Sequence, residues 1–159
     1  MLILLCRHAI AAQRDPDLYP DDSERPLVRE GRREQTRMAR RLARRNLVPT
    51  VICSSPWKRA WQTAAILARE TGAGKKRRVA CPALATDPDL TAIADAVGER
   101  QHDEVVALVG MEPWMSELAS LLLSGSPTRL EIDFRKSGIM GIEATTIGPA
   151  SGRLRFFWT

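Results

Sequence analysis

The sequence is poor in cysteine, histidine, aromatic residues and long apolar runs. Its 159 residues include three cysteines and two histidines, and aromatic residues make up 5% of the chain. An odd number of cysteines in apolar contexts favours reduced, buried thiols over a disulfide framework. No apolar run approaches the length of a transmembrane helix, and Arg7 and His8 interrupt the first one too early for a signal peptide. We therefore expect a cytoplasmic protein with no membrane partner.

The length and composition are those of one globular domain covering residues 1–159. Hydrophobic residues make up 44% and charged residues 27%, and we find no internal repeat, low-complexity tract or linker. The net charge is +5, which makes anionic partners plausible. Between Arg25 and Arg45, nine arginines and two glutamates give a local net charge of +7.

Short apolar runs alternate with amphipathic segments along the chain. This alternation predicts an α/β fold: a three-layer α/β/α sandwich with a mostly parallel central sheet and an antiparallel C-terminal part. The predicted strands cover residues 2–6, 50–53 and 104–109, with an extended piece at 79–84 and two or three strands within 129–159. The predicted helices cover residues 28–46, 57–70, 90–99 and 114–123.

Chemically suggestive residues follow three of the predicted strands. Arg7 and His8 end the first strand, Ser54-Ser55-Pro56 follows the second, and Gly110-Met111-Glu112-Pro113 follows the 104–109 strand. Ligands of open α/β sheets bind beyond the carboxyl ends of the strands. An arginine fork suits a phosphoryl group, and a neutral imidazole is a nucleophile or a base near neutral pH. Arg59, in the first turn of the 57–70 helix, is placed to bind an anion.

Four motifs in this order resemble the histidine phosphatase superfamily, which has a phosphoglycerate mutase-like fold, and within it the small SixA-like phosphohistidine phosphatases. The motifs are L-C-R-H-A (5–9), S-x-R-P-L-x-x-x-G (23–31), S-S-P-x-x-R-A-x-Q-T-A (54–64) and V-G-x-E-P (109–113). The third is quite specific by itself, the four in this order are a strong signal, and the resemblance covers nearly the whole chain.

The resemblance implies a phosphatase in which His8 is the nucleophile and forms a phosphohistidine intermediate that water hydrolyses. Arg7 and Arg59 would hold the phosphoryl oxygens and stabilise the charge in transfer. The resemblance implies neither a cofactor nor a metal. The substrate would be a phosphorylated protein or a small phosphorylated molecule, and the short chain, without an inserted lid, favours a phosphoprotein. The residues assigned to substrate binding are Arg25, Ser55, Met111 and Glu112.

Met111 departs from the superfamily pattern, which places a second histidine there in contact with the phosphoryl group. A thioether donates no hydrogen bond, and losing one donor to developing charge costs on the order of a hundred- to a thousand-fold in rate. His102 cannot substitute, because it precedes the 104–109 strand and falls at the opposite sheet edge. Two functions stay open: a slow phosphatase, or a pseudophosphatase that binds phosphoryl groups or a phosphoprotein. We assign no general acid.

Two other readings compete with this one. Cys53 and Arg59 have the C-x5-R spacing of cysteine-dependent phosphatases, but the segment between them has no glycine, and Pro56 lacks a needed N–H donor. We expect Cys53 to be an inert core thiol. The arginine-rich 28–46 helix presents a solvated basic face, which favours acidic protein partners over nucleic acid because no aromatic residues are interleaved with the arginines.

Overall fold

A single six-stranded sheet forms the centre of the protein. The structure is a computed structural model, and it describes all residues, 1–159. The strand order is β3-β2-β4-β1-β5-β6; the first four strands are parallel, and β5 and β6 are antiparallel to their neighbours. The strands are Leu2–Arg7 (β1), Val51–Ser54 (β2), Arg78–Ala80 (β3), Val105–Gly110 (β4), Ile139–Ala144 (β5) and Gly152–Trp158 (β6).

Four helices cover the two faces of the sheet. They are Arg29–Ala43 (α1), Lys58–Thr71 (α2), Leu90–Val97 (α3) and Trp114–Ser124 (α4). The α1 and α2 helices pack over one face, and α3 and α4 over the other. The predicted α/β sandwich with a parallel sheet and an antiparallel C-terminal part is therefore confirmed. None of the helices combines the length and apolar character needed to cross a membrane.

The β1 strand lies inside the sheet, between β4 and β5, and both of its faces are buried. Ile3 and Leu5 pack with α3 and α4, whereas Leu4 and Cys6 pack with α1 and α2. This explains why β1 is a continuous apolar run with no polar alternation. Because consecutive side chains point to opposite faces, the run contributes to both halves of the core.

The extended piece predicted at 79–84 is shorter in the structure. The β3 strand ends at Ala80, and Pro82–Leu84 forms a single 3-10 turn. Proline has no N–H to donate to a neighbouring strand, so pairing cannot continue through Pro82.

Candidate active site

The three predicted strand ends meet at one edge of the sheet. In the register of the parallel strands, Arg7 lies opposite Gly110, and Ser54 lies opposite Val109. The His8 amide continues the ladder by donating to the Gly110 carbonyl at 2.9 Å. The structure thus places the residues after β1, β2 and β4 side by side, at the edge where α/β proteins bind ligands.

His8 is buried, with 7% of its surface exposed, and its ring has a defined orientation. Its Nδ1 lies 2.7 Å from the carbonyl oxygen of Ala9, which can only accept a hydrogen bond. Nδ1 is therefore the protonated nitrogen of the neutral ring, and Nε2 keeps a free lone pair. Burial lowers the pKa of His8 to about 3, helped by the positive charges of Arg59, Arg7 and Lys136. The imidazole is neutral at physiological pH.

Arg7 is held by the loop before β5, a segment that carries no local signal of this role in the sequence. One terminal nitrogen of Arg7 donates to the Phe134 carbonyl, and its backbone amide donates to Gly138 at 3.2 Å. In the same loop, the Ser137 amide donates to the His8 carbonyl at 3.3 Å. Residues 134–138 therefore fix the end of β1 from a position far along the chain.

Arg59 lies in the first turn of α2 and is buried, with 4% of its surface exposed. The Thr63 hydroxyl donates to the Arg59 carbonyl at 2.7 Å and accepts from the Ala9 amide at 3.1 Å, which ties this turn to the residue after His8. The guanidinium carbon lies 4.5 Å from the centre of the Trp57 ring, a cation–π contact.

An ion cluster centred on Asp22 also holds Arg59. Arg59 donates through one terminal nitrogen to the Asp22 carbonyl at 2.7 Å and through the other to its carboxylate at 3.1 Å. Arg25 Nε donates to the same carboxylate at 2.7 Å, which places Arg25 one side chain away from Arg59. The hydrogen bond from Arg25 lowers the pKa of Asp22, and the charge of Arg59 adds to this effect. Asp22 is not among the residues predicted for the site, and its spacing of three residues from Arg25 is the one signal for this ion pair in the sequence.

Met111, Glu112 and Ser55 have distinct surroundings. The Met111 sulfur is buried and lies 3.8 Å from a terminal nitrogen of Arg59. The Glu112 carboxylate accepts from the amide and the hydroxyl of Ser116, and burial raises its pKa. The Ser55 hydroxyl accepts from the Trp57 amide at 3.3 Å and so supports the turn into α2. Substrate binding by these three residues stays a prediction.

Several buried polar atoms at this edge have no hydrogen-bond partner in the protein. Six buried side-chain atoms in the chain lack one, and three of these are Arg7 Nε, Arg59 Nε and Ser137 Oγ. An unpaired buried donor costs free energy, so these three atoms are polar groups whose hydrogen-bonding capacity the protein itself leaves unused. The site thus combines two cationic donors with a neutral imidazole, a set suited to an oxyanion.

The structure places neither Cys53 nor His102 where it could act in this site. Cys53 is buried in the core, and burial raises the pKa of its thiol to about 12, so it is not a thiolate at physiological pH. His102 lines a cleft with Met1 and Leu2, at the end of β1 opposite to His8. It is therefore too far away to replace the missing second histidine.

Comparison with known proteins identifies the family. The model of the histidine phosphatase superfamily (branch 1) matches residues 3–85, more than half of the chain. The chain belongs to the histidine phosphatase superfamily. An uncharacterized protein of Picosynechococcus sp. is 33% identical over 146 residues, which are 91% of this chain and 86% of that protein. The membership predicted from the four motifs is confirmed.

Solved structures of this superfamily share the fold. The protein histidine phosphatase SixA, complexed with tungstate, superimposes with a TM-score of 0.76 at 21% identity, covering 100% of this chain and 97% of that chain. A protein of Agrobacterium tumefaciens named as a phosphohistidine phosphatase SixA gives a TM-score of 0.76 at 23% identity, covering 99% and 97%. The predicted phosphoglycerate mutase-like, SixA-like architecture is thus confirmed.

Proposed function

We propose that the protein is a phosphatase that removes a phosphoryl group through a covalent intermediate on His8. The observation that carries this proposal is the neutral, buried His8 ring, whose Nε2 lone pair is free while Nδ1–H is held by Ala9. Nearby, Arg7 and Arg59 each have an unpaired Nε–H donor. Membership of the superfamily supports the same chemistry.

The reaction has two steps. His8 Nε2 attacks phosphorus, so that a P–N bond to His8 forms and the bond to the leaving group breaks. Arg7 and Arg59 bind the phosphoryl oxygens and stabilise their charge during transfer. Water then attacks the phosphorus, breaks the bond to His8 and releases inorganic phosphate. Since Nδ1 is already fixed as the protonated nitrogen, the attacking atom is oriented before substrate arrives.

We propose phosphohistidine on a protein as the substrate. A protonated imidazole is a good leaving group, and this chemistry matches a site to which we assign no general acid. The resemblance in fold to a protein histidine phosphatase supports the same choice. A small phosphorylated molecule is the alternative substrate, and an aryl phosphate tests for it.

Met111 favours a second candidate function, that of a pseudophosphatase that binds phosphoryl groups or a phosphoprotein with little turnover. Its sulfur contacts Arg59 but donates no hydrogen bond to an oxyanion. The arginines and His8 would still bind a phosphoryl group, so binding survives where turnover is weakened.

Turnover by matched variants separates the two functions. The substrates are a phosphohistidine peptide and an aryl phosphate, and the proteins are the wild type, His8→Ala, Met111→His and Met111→Leu as a control for packing. We expect slow turnover by the wild type, none by His8→Ala, and an increase of at least about tenfold in Met111→His, because a donor is restored. A silent wild type that still binds phosphate, with activity gained in Met111→His, establishes the pseudophosphatase. Silence of all these proteins on both substrates contradicts the phosphatase proposal.

A further inference from the structure

The exposed face of α1 forms a shallow groove lined almost entirely by arginine. Its lining consists of Thr36 and six arginines, and no acidic residue takes part. All six arginines are exposed, and at 1.5 Å per residue the fifteen-residue helix extends the groove over roughly 20 Å. We call this surface the arginine groove; it comprises Arg29, Arg32, Arg33, Arg37, Arg40 and Arg44 with Thr36.

The charge of the arginine groove is largely uncompensated within the protein. Of its six arginines, Arg40 alone forms an ion pair, with Glu70 at 2.7 Å. The two glutamates of α1, Glu30 and Glu34, occupy positions on a flank of the helix and form no ion pair. Several of the arginines are spaced four residues apart, where like charges destabilise a helix. An anionic partner along this face would offset that repulsion.

The arginine groove starts beside the active site. The Val28 amide donates to the Ile10 carbonyl at 3.1 Å, which joins the start of α1 to the loop just after His8. Arg32, in the groove, donates at 3.1 Å to the side-chain oxygen of Gln62, which lies on the helix that carries Arg59. From this end the groove follows α1 away from the site. A macromolecule with a phosphoryl group in the site would have its neighbouring surface over the groove.

We propose that the arginine groove docks an acidic segment of the phosphoprotein substrate. This inference rests on the proposed function and adds a second contact surface to it. Arginine forms bidentate hydrogen bonds with carboxylates, and a row of six suits a run of Asp or Glu. No aromatic side chain lines the groove, so it lacks the stacking platform with which proteins hold the bases of single-stranded nucleic acid. The nearby Trp158 ring is itself covered by Arg41, at 4.1 Å from its centre.

Direct binding tests the groove without reference to catalysis. The probes are a fluorescent Glu-rich peptide, the same peptide with Gln in place of Glu, and a DNA duplex of equal charge. The proteins are the wild type, the double variant Arg33→Ser/Arg37→Ser, and the control Arg129→Ser/Arg153→Ser, which removes the same charge from exposed sites outside the groove. In anisotropy titrations we expect the groove variant to bind the acidic peptide about tenfold more weakly, and the control to match the wild type.

Kinetics then connect the groove to the substrate. With a phosphohistidine peptide carrying an acidic tail, we expect the groove variant to raise KM and leave kcat unchanged, while hydrolysis of an aryl phosphate is unaffected. If no protein hydrolyses either substrate, the proposed function fails. The anisotropy titrations still show, independently of catalysis, whether the arginine groove binds an acidic segment. Equal binding of the acidic peptide by the wild type and the groove variant overturns the inference. Tighter binding of the duplex than of the acidic peptide also overturns it, in favour of nucleic acid.

Discussion

Asp22 is the residue on which the positions of two site arginines depend. Its carboxylate accepts from both Arg25 and Arg59, and its carbonyl accepts from Arg59 as well. Arg59 is buried, so its charge would be poorly solvated without this partner. We therefore infer that Asp22 is a positioning residue, which holds Arg59 in place through its carbonyl and its carboxylate.

Replacing Asp22 with Asn tests this role. The variant keeps the shape of the side chain but removes its charge, leaving Arg25 and Arg59 to repel each other. We expect the free energy of unfolding to fall by about 1–2 kcal/mol at neutral pH, measured by urea denaturation. Because the folded-state pKa of Asp22 is lowered, its contribution is present above the unfolded-state pKa and is lost as the pH falls through the folded-state value. Asp17→Asn, in the same loop and exposed, serves as the control and should change stability little, because the Asp17 carboxylate forms no hydrogen bond or ion pair; an equal loss in both variants would contradict the assignment.

At the scale of elements, α1 and the loop after His8 are so close at Gly31 that there is no room for a side chain there. A Cβ added at Gly31 would lie 2.2 Å from the carbonyl oxygen of Ile10, a backbone atom that cannot move aside as a side chain does. The helix and the loop after His8 are therefore in direct backbone contact. This contact explains why glycine ends the second motif.

The Gly31→Ala variant should reverse the usual effect of such a change. Within a helix, replacing glycine with alanine ordinarily stabilises by about 0.5–1 kcal/mol. Here we expect destabilisation together with reduced phosphatase activity, because α1 must shift away from the loop. Thermal denaturation and kcat/KM provide the readouts, with Thr36→Ala on the same helix as a control. A Gly31→Ala protein as stable and active as the wild type would show that the two elements are not in tight contact.

The elements themselves could be predicted because their signals are local. The apolar run of β1, the amphipathic pattern of α1 and the proline before α2 each depend on neighbouring residues, and the structure has these elements with ends shifted by a few residues. Because the carboxyl ends of the parallel strands lie together, Arg7, His8 and Arg59 are all found at that end of the sheet. The 79–84 piece was less accurate because a strand signal competed there with Pro82.

The rest of the site depends on contacts between distant residues. Asp22 contacts Arg59 across 37 positions, and Phe134 contacts Arg7 across 127. Neither contact leaves a periodic pattern in the sequence. The residues that hold Arg59 and Arg7 in place were therefore missed, while the motifs that identify the superfamily were found.

At the scale of the whole molecule, burial of His8 makes the stability of the folded protein depend on pH. The folded-state pKa of about 3 lies below the ordinary value of 6.5, so the unfolded chain binds an extra proton between these values. The protein should therefore lose stability as the pH falls, by about 1 kcal/mol from His8 between roughly pH 7.5 and pH 5.5. Urea denaturation across this range measures the loss, and His8→Gln should lack this part of it. The same pH dependence in both proteins would show that His8 titrates normally.

Trapping the phosphorylated enzyme tests the central claim most directly. Wild-type protein is mixed with a phosphohistidine peptide, quenched in alkali to preserve phosphorus–nitrogen bonds, and analysed by mass spectrometry as intact protein and as peptides. His8→Ala and Cys53→Ser are treated in the same way. We predict one added phosphoryl group on His8 in the wild type and in Cys53→Ser, and none in His8→Ala. A phosphoryl group on Cys53, or continued turnover by His8→Ala, would contradict the account.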